Sequence, residues 1–345
     1  MPHRRIYALL LAASGAAHAA DLNVLSFGGA NKAAQEIAYY QPFHRASGVG
    51  VYADDYDGHY YREIVAGRNT APGGRWDVVE VSAPELARGC AEGRFEKLDW
   101  AAIAPRDAFL SGGTSECGAG IFTWSAVLAY NQKMLGKAPQ GWADFWDTRR
   151  FPGKRAMNRS ARYTLETALL ADGVPASDVY PTLATDAGVK RAFRKLDALR
   201  PHIVWWESPA QPAQMLAFEQ ASMALGFSGR IARAARDWPQ LKISWPGNIN
   251  NVNYWAIPKG GDTALATRFI AFASQPENQA TYSRYIDYGP TRKEAIAMLP
   301  TELAQRLPGS DANRQGALQL DSAFWAANGK VLEARFERWL STGQR

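Results

Sequence analysis

The 345-residue chain has few of the residue patterns on which metal, redox and catalytic sites depend. It contains only two cysteines and no CxxC pair, which excludes a cysteine-ligated zinc site or iron–sulfur cluster. Two of its five histidines lie in the first 19 residues, and the other three are far apart in sequence. No HExxH motif, P-loop, GxGxxG fingerprint or complete GxSxG elbow is present. We therefore expect no enzyme, no metal site and no cofactor.

Neither positive nor negative charge is concentrated in one part of the sequence. The chain has 39 Lys and Arg against 33 Asp and Glu, a net charge of +6 that is spread along its length. Without a block of like charges, a nucleic-acid partner is not expected. The apolar run within the first twenty residues is too short to cross a bilayer, which takes about 20 residues, and no comparable run occurs later.

The first 19 residues have the pattern of a secretory signal peptide. Arg4-Arg5 precedes a short apolar run, and Ala17-His18-Ala19 is a small-x-small cleavage pattern. We expect export to the periplasm and a mature net charge of +4, because loss of both arginines leaves 37 basic residues against 33 acidic ones. In an oxidising compartment, a disulfide between Cys90 and Cys117 is the expected state, with a reactive thiol as the alternative.

Short buried strands alternate with helices in the first part of the mature chain. Strands are predicted at Asn23–Phe27, Val49–Tyr52 and Trp76–Val81. After the third strand, Ser82-Ala83-Pro84-Glu85 is a capping box that begins a helix, and another helix is predicted at Ala161–Asp172. This alternation predicts an α/β fold with parallel βα units, which bind ligands at the carboxyl ends of their strands.

Aromatic residues are frequent near the predicted strand ends and loops. Their rings can enclose a flexible ligand and attract a cation through their faces, each contributing about 0.5–2 kcal/mol. The alternative for each ring is packing in the core. The rings in question are Phe27, Trp124, Trp205, Trp206, Phe227, Tyr254, Trp255 and Tyr288.

A series of short motifs extends over almost the whole mature chain. They are Trp76-Asp77-Val78-Val79, Glu92-Gly93-Arg94-Phe95, Ala129-Tyr130-Asn131, Trp142-Ala143-Asp144-Phe145-Trp146, Trp255-Ala256-Ile257-Pro258-Lys259, Pro276-Glu277-Asn278-Gln279 and Tyr288-Gly289-Pro290-Thr291. In this order and spacing they resemble the periplasmic spermidine/putrescine-binding protein family of ABC importers. The pair of cysteines resembles a subgroup that includes binders suited to amino-acid-like ligands such as γ-aminobutyrate.

The resemblance implies a two-lobed type II periplasmic binding protein fold, with hinge crossovers and a ligand cleft between the lobes. Lobe 1 would contain residues 21–128 and 256–298, and lobe 2 residues 129–255 and 299–345. Ligand binding would close the lobes about the hinge, and the closed form would dock on the membrane permease of the importer. We expect the protein to be a monomer.

The site residues of the family are carried over one at a time. Its first-strand aromatic residue matches Phe27, its serine after the third strand matches Ser82, and its ligand-stacking ring in lobe 2 matches Phe227. Two acids that bind polyamine nitrogens in the family match Ser160 and Tyr163, neither of which is acidic.

A third family acid matches Asn253, so the carboxylates that a buried dication requires are scarce. The remaining candidate acids are Glu80 and Glu207, with Glu166 as a further one. Arg230 and Arg162 can each bind a carboxylate through two parallel hydrogen bonds. One acid for an amine and one arginine for a carboxylate would suit an ω-amino acid.

The leading prediction from the sequence is a solute-binding protein that captures a putrescine- or spermidine-type amine. The first alternative is a binder of an ω-amino acid such as γ-aminobutyrate. A ferric-ion carrier using Tyr39-Tyr40 or Tyr60-Tyr61, and a secreted enzyme on the same fold, are further alternatives. For Arg230 and Glu207 the alternative is a solvent-facing surface residue. The predicted ligand-binding residues are Phe27, Glu80, Ser82, Trp206, Glu207, Phe227, Arg230, Asn253, Trp255 and Tyr288.

Overall fold

The computed structural model describes residues 22–56, 63–64, 66–71 and 74–342, so the predicted signal peptide and Tyr60-Tyr61 lie outside the described residues. The described residues form one mixed β-sheet with helices packed against it. The strands are β1 (Leu22–Phe27), β2 (Val51–Tyr56), β3 (Val78–Ser82), β4 (Gly118–Asn131), β5 (Arg155–Asn158), β6 (Ile203–Trp206), β7 (Met223–Phe227), β8 (Leu241–Ala256), β9 (Gly289–Pro290) and β10 (Leu318–Gln319).

Helices follow most of the strands. The α-helices are Ala30–Gln35, Gln41–Ser47, Ala83–Ala91, Trp100–Ile103, Gln132–Leu135, Trp142–Trp146, Ala161–Ala171, Val179–Leu183, Asp186–Leu199, Gln211–Ala217, Ser228–Ala235, Thr263–Ala273, Pro276–Tyr285, Lys293–Ala297, Thr301–Arg306, Asp311–Arg314 and Ser322–Thr342. A π-helical turn, Glu36–Tyr40, joins the first two, and Arg106–Ala108, Ala176–Asp178 and Arg200–His202 are 3₁₀ turns.

Two sets of parallel strands are joined by two long antiparallel strands. The strand order is β2-β1-β3-β8-β4-β7-β5-β6, with β10 beside β8 and β9 beside β4. β1 is parallel to β2 and β3, and β5 is parallel to β6 and β7. β4 has 14 residues and β8 has 16, and they pair with each other along most of their length. The chain therefore crosses between the two parallel sets through β4 and β8.

The buried apolar residues divide in a similar way. One cluster is drawn from residues between Ala126 and Trp339, and a second from residues between Leu22 and Tyr288. A smaller cluster includes Trp76 and Phe95 and packs beside β3. The lobe boundaries predicted from the sequence stay a prediction.

Several local predictions are confirmed. Cys90 and Cys117 form a disulfide with their Cα atoms 5.8 Å apart. In the capping box, the amide of Ser82 donates to the side chain of Glu85 at 3.1 Å, and the helix Ala83–Ala91 begins there. The predicted strand Val49–Tyr52 is displaced, because β2 begins at Val51 and pairs with β1 as far as Tyr56.

The described residues contain neither a membrane-spanning helix nor a cluster of metal ligands. None of the helices in the described ranges combines the length and apolarity needed to span a membrane. Within the same ranges, no three or more His, Cys, Asp or Glu residues are grouped so as to hold a metal ion.

Candidate functional site

A cavity of about 220 Å³ lies where the two parallel strand sets meet β4 and β8. Residues at the carboxyl ends of β1, β3, β5 and β7 line it, as expected for parallel βα units. The lining residues are Phe27, Asn31, Glu80, Ser82, Glu85, Phe122, Trp124, Asn158, Ser160, Arg162, Tyr163, Pro209, Phe227, Arg230, Asn253 and Tyr288.

Glu80 provides the most buried acidic group of this lining, with 2% of the residue exposed. Its Oε2 accepts hydrogen bonds from Asn31 Nδ2 and Gln35 Nε2, both at 2.8 Å, and from the Phe27 amide at 3.3 Å. Its Oε1 accepts one from Asn253 Nδ2 at 2.7 Å. Burial raises the pKa of the Glu80 carboxyl, and these hydrogen bonds oppose the rise without cancelling it. No lysine, arginine or histidine of the described ranges forms an ion pair with this carboxylate.

The three side-chain amides around Glu80 are themselves held in one orientation, because each amide oxygen accepts a hydrogen bond from another residue. The pairs are Tyr282 hydroxyl with Asn31 Oδ1 (2.5 Å), Tyr40 hydroxyl with Gln35 Oε1 (2.7 Å) and Trp124 Nε1 with Asn253 Oδ1 (2.7 Å). With its oxygen occupied, each amide presents N–H donors to the carboxylate. The network therefore suits an ionised Glu80, which only accepts hydrogen bonds.

Arg230 lies beside Tyr288 in the wall of the cavity. Burial raises the pKa of the Tyr288 hydroxyl, the positive charge of Arg230 lowers it, and the negative charge of Glu80 raises it. Glu80, Arg230 and Tyr288 all line the same cavity. Gly229 permits this arrangement, because a Cβ at that position would lie 2.3 Å from the Tyr288 ring. In the described part of the chain, Arg230 forms no ion pair with a carboxylate.

Arg162 is the second guanidinium of the lining, and its electrostatic surroundings differ from those of Arg230. Burial lowers the pKa of Arg162, but the charges of Tyr163, Glu85, Glu333 and Glu166 raise it by more. The protein thus partly balances the charge of Arg162 with its own acids.

The backbone that carries Arg162 is irregular. Arg162 has φ −64° and ψ 135°, and Tyr163 has φ 70° and ψ −35°, so the first turn of the helix Ala161–Ala171 is broken. A non-glycine residue with positive φ is uncommon and often marks a functional site. Asn251 Nδ2 donates to the Tyr163 hydroxyl at 3.0 Å and helps to hold this ring in the cavity wall.

Aromatic rings form the apolar sides of the cavity. Trp124, Tyr163 and Phe227 meet edge to face, with ring centroids 4.9, 5.8 and 5.9 Å apart. Phe122 and Tyr288 are stacked at 4.6 Å with an interplanar angle of 6°. These sides can enclose an aliphatic chain between the charged groups.

The structure brings together seven of the ten residues predicted to bind ligand. In the lining are Phe27, Glu80, Ser82, Phe227, Arg230, Asn253 and Tyr288. The interpretation of Arg230 as a residue that faces the cavity is therefore consistent with its place in the fold.

The other three predicted residues lie outside the lining. Trp206 is buried, and its indole nitrogen donates to the Leu225 carbonyl at 3.0 Å, so the ring is behind Phe227 rather than in the cavity. Trp255 is buried in the second apolar cluster. Glu207 is exposed and pairs with Arg159 at 3.1 Å, as its solvent-facing alternative predicts.

The lining also contains residues that were not among the ten. Asn31 is one of them; it lies four residues before Gln35 on the helix that follows β1, both are buried, and Gln35 binds Glu80 without lining the cavity. Polar amides at this spacing share a helix face, which is the one sequence signal that could have indicated them. Tyr39-Tyr40, the candidate iron ligands, are buried in the second apolar cluster.

Residues 38–309 match the model of the bacterial extracellular solute-binding protein family. The chain belongs to this family. Among its relatives, the γ-aminobutyric acid-binding protein of Pseudomonas aeruginosa is 48% identical over 97% of this chain and 95% of its own length.

Solved structures of similar solute-binding proteins have the same fold. One of them, the Atu4243–GABA receptor, is 29% identical to this chain; the match covers 94% of this chain and 99% of the receptor chain, with a TM-score of 0.83. The protein AgtB of A. tumefaciens R10, in complex with agropinic acid, is 30% identical with the same coverage and a TM-score of 0.82. The α/β, two-lobed periplasmic binding protein fold predicted from the sequence is thereby confirmed.

Proposed function

We propose that this solute-binding protein captures an ω-amino acid of the γ-aminobutyrate type and delivers it to the permease of an ABC importer. The observation that carries the proposal is a pair of opposite charges, Glu80 and Arg230, in the lining of one cavity. Glu80 is buried, and within the described ranges no cation pairs with Glu80 and no carboxylate pairs with Arg230. A ligand with an ammonium group at one end and a carboxylate at the other would supply a cation for Glu80 and an anion for Arg230.

The ammonium group of the ligand would bind Glu80. An unpaired carboxylate is costly to bury, and the amides that hold Glu80 lower this cost without removing it. A primary ammonium has three donors, and Oε1 of Glu80 has one protein donor, Asn253. A bound ammonium would therefore complete the hydrogen bonding of this oxygen and favour its charged form.

The carboxylate group of the ligand would bind Arg230, with Arg162 as the second cation of the same cavity. A guanidinium matches a carboxylate with two parallel hydrogen bonds. The methylene chain would then lie against the rings of Trp124, Phe227 and Tyr288.

The same charges disfavour a polyamine. The second ammonium of putrescine would enter a wall with two guanidinium groups, Arg162 and Arg230, and meet like charge there. At the positions where the resemblance placed acids, Ser160 and Tyr163 present neutral side chains to the cavity. The relatives described above, one a γ-aminobutyric acid-binding protein, also support the ω-amino acid over the polyamine that led the sequence-based predictions.

The last part of the proposal concerns where the protein acts. We infer cleavage of the first 19 residues and action as a periplasmic monomer, in two lobes that close on the ligand.

A thermal-shift panel tests the proposed function. It comprises γ-aminobutyrate, putrescine, spermidine, butylamine and butyrate, the last two carrying only one charged end each. A ligand at 100 times its Kd adds about 2.7 kcal/mol to the unfolding free energy. We expect γ-aminobutyrate to raise the Tm most. The proposal fails if none of these compounds raises the Tm, or if putrescine raises it as much as γ-aminobutyrate does.

A further inference from the structure

The irregular segment in the cavity wall is held by a residue of the C-terminal helix. Glu333, in Ser322–Thr342, accepts hydrogen bonds from three consecutive residues. The Ser160 hydroxyl donates to Oε1 at 2.6 Å, the Ala161 amide to Oε2 at 2.9 Å and the Arg162 amide to Oε1 at 3.4 Å. The Glu333 carboxylate thus holds the start of the helix Ala161–Ala171, which is far from Glu333 in sequence.

This segment has an unusual backbone, which needs such support. Ser160 is extended, with φ −153° and ψ 149°, and Tyr163 has a positive φ of 70°. A carboxylate near the amides at a helix start is stabilising, because those amides have no partner within the helix. The side chains of Ser160, Arg162 and Tyr163 line the cavity, so the conformation of this segment determines the shape of one wall.

Glu333 itself does not line the cavity, and its position is set by the core. Its helix neighbours Leu332 and Phe336 are buried in the first apolar cluster. The same helix packs against Ala83–Ala91, the helix that begins after the lining residue Ser82. The carboxylate is therefore presented from a fixed helix to the wall segment.

We propose that Glu333 is a positioning residue of the ligand site, which holds Ser160–Tyr163 so that Arg162 points into the cavity. This inference rests on the proposed function only in the experiments that measure affinity for an ω-amino acid. Without Glu333, the amides of Ala161 and Arg162 lose their acceptor, and the guanidinium of Arg162 loses its fixed place.

Calorimetric titration with γ-aminobutyrate tests this assignment. We expect Glu333→Ala to raise Kd at least tenfold and Glu333→Gln to raise it by less, because the glutamine oxygen can accept from the Ala161 amide while its NH2 group donates to the Ser160 hydroxyl oxygen, and only the 3.4 Å bond from the Arg162 amide is lost. The matched control is Glu337→Ala on the same helix, which removes only an exposed pair with Arg159 and should leave Kd unchanged. Equal Kd values for the wild type and Glu333→Ala would overturn the proposal, as would a loss with Glu333→Gln equal to that with Glu333→Ala.

A double-mutant cycle separates positioning from general destabilisation. If Glu333 acts through Arg162, the substitution Glu333→Ala should change Kd less than threefold in an Arg162→Ala background. Equal losses in both backgrounds would contradict the assignment.

A ligand-free readout keeps the two proposals distinguishable. Amide hydrogen exchange of the peptide that contains Ala161 and Arg162 should be slow in the wild type and in Glu337→Ala, and at least tenfold faster in Glu333→Ala. If the wild type binds no ω-amino acid, the proposed function fails, and the exchange rates still decide whether Glu333 holds the segment. Unchanged exchange in Glu333→Ala would refute it.

Discussion

Replacing Glu80 by glutamine tests the ammonium end of the site at a single atom. The glutamine oxygen can take the place of Oε2 and accept from Asn31, Gln35 and the Phe27 amide. Its NH2 group then takes the place of Oε1 and faces the amide of Asn253. The NH2 groups of the glutamine and of Asn253 would then face each other without an acceptor, and the negative charge of Glu80 would be lost.

The expected magnitude follows from these contacts. Removing one partner of a buried, hydrogen-bonded charge pair costs about 2–5 kcal/mol of binding free energy. At about 1.4 kcal/mol per tenfold change, Kd should rise at least about 30-fold. Asn253 cannot turn its oxygen toward the new NH2 group without losing the hydrogen bond from Trp124, which measures 2.7 Å.

Titration calorimetry of Glu80→Gln with γ-aminobutyrate at pH 7 measures this loss. The Tm of the ligand-free variant shows whether the fold is intact. Glu207→Gln is the matched control, because Glu207 is an exposed acid that pairs with Arg159 outside the cavity lining, and such surface pairs contribute about 1 kcal/mol or less. The reasoning is refuted if Glu80→Gln binds within threefold of the wild type, or if Glu207→Gln loses as much affinity.

Three other substitutions test separate parts of the account. Arg230→Gln should raise Kd for γ-aminobutyrate about 30-fold or more in calorimetry, through loss of a charged partner, yet leave butylamine binding within threefold; equal losses for both ligands would contradict the assigned role. Trp124→Phe removes the hydrogen bond to Asn253, worth about 1 kcal/mol, so Kd should rise about fivefold and the ligand-induced change in tryptophan fluorescence should largely disappear; an unchanged fluorescence response would count against it. Burial raises the pKa of Glu166 from 4.5 to about 7, so the folded state holds this proton more tightly than the unfolded state. The unfolding free energy should therefore fall by about 3 kcal/mol as pH rises from about 4.5 to 7, and urea unfolding at pH 5 and pH 8 should show no such fall for Glu166→Gln; parallel pH profiles would rule out this origin.

Local patterns in the sequence were sufficient for several elements. Apolar runs located β1 and β3, and the capping box located the start of Ala83–Ala91. The acidic residues Asp54 and Asp55 made β2 look shorter than it is. Pairing with β1 extends this strand through both, and such pairing is not visible in a single sequence.

The site was less predictable, since position near a strand end does not determine where a ring points. Trp255 lies two residues after the lining residue Asn253 on β8, yet it packs deeper, against Tyr39 and Phe269. The amides around Glu80 come from two separated parts of the chain, the helix Ala30–Gln35 and the strand β8, so their convergence depends on the sheet order. The positive φ of Tyr163 breaks the first turn of its helix, and a tyrosine in the sequence gives no indication of such a backbone conformation.

The most direct test of the central claim compares γ-aminobutyrate with putrescine by titration calorimetry on the purified wild-type protein. Both compounds have a primary amine on three methylenes, and they differ in whether a carboxylate or a second aminomethyl group follows. Because Glu80 requires an ammonium and Arg230 a carboxylate, we predict that γ-aminobutyrate binds at least 100-fold more tightly, about 3 kcal/mol in binding free energy. Putrescine binding as tightly as γ-aminobutyrate, or more tightly, would contradict the account.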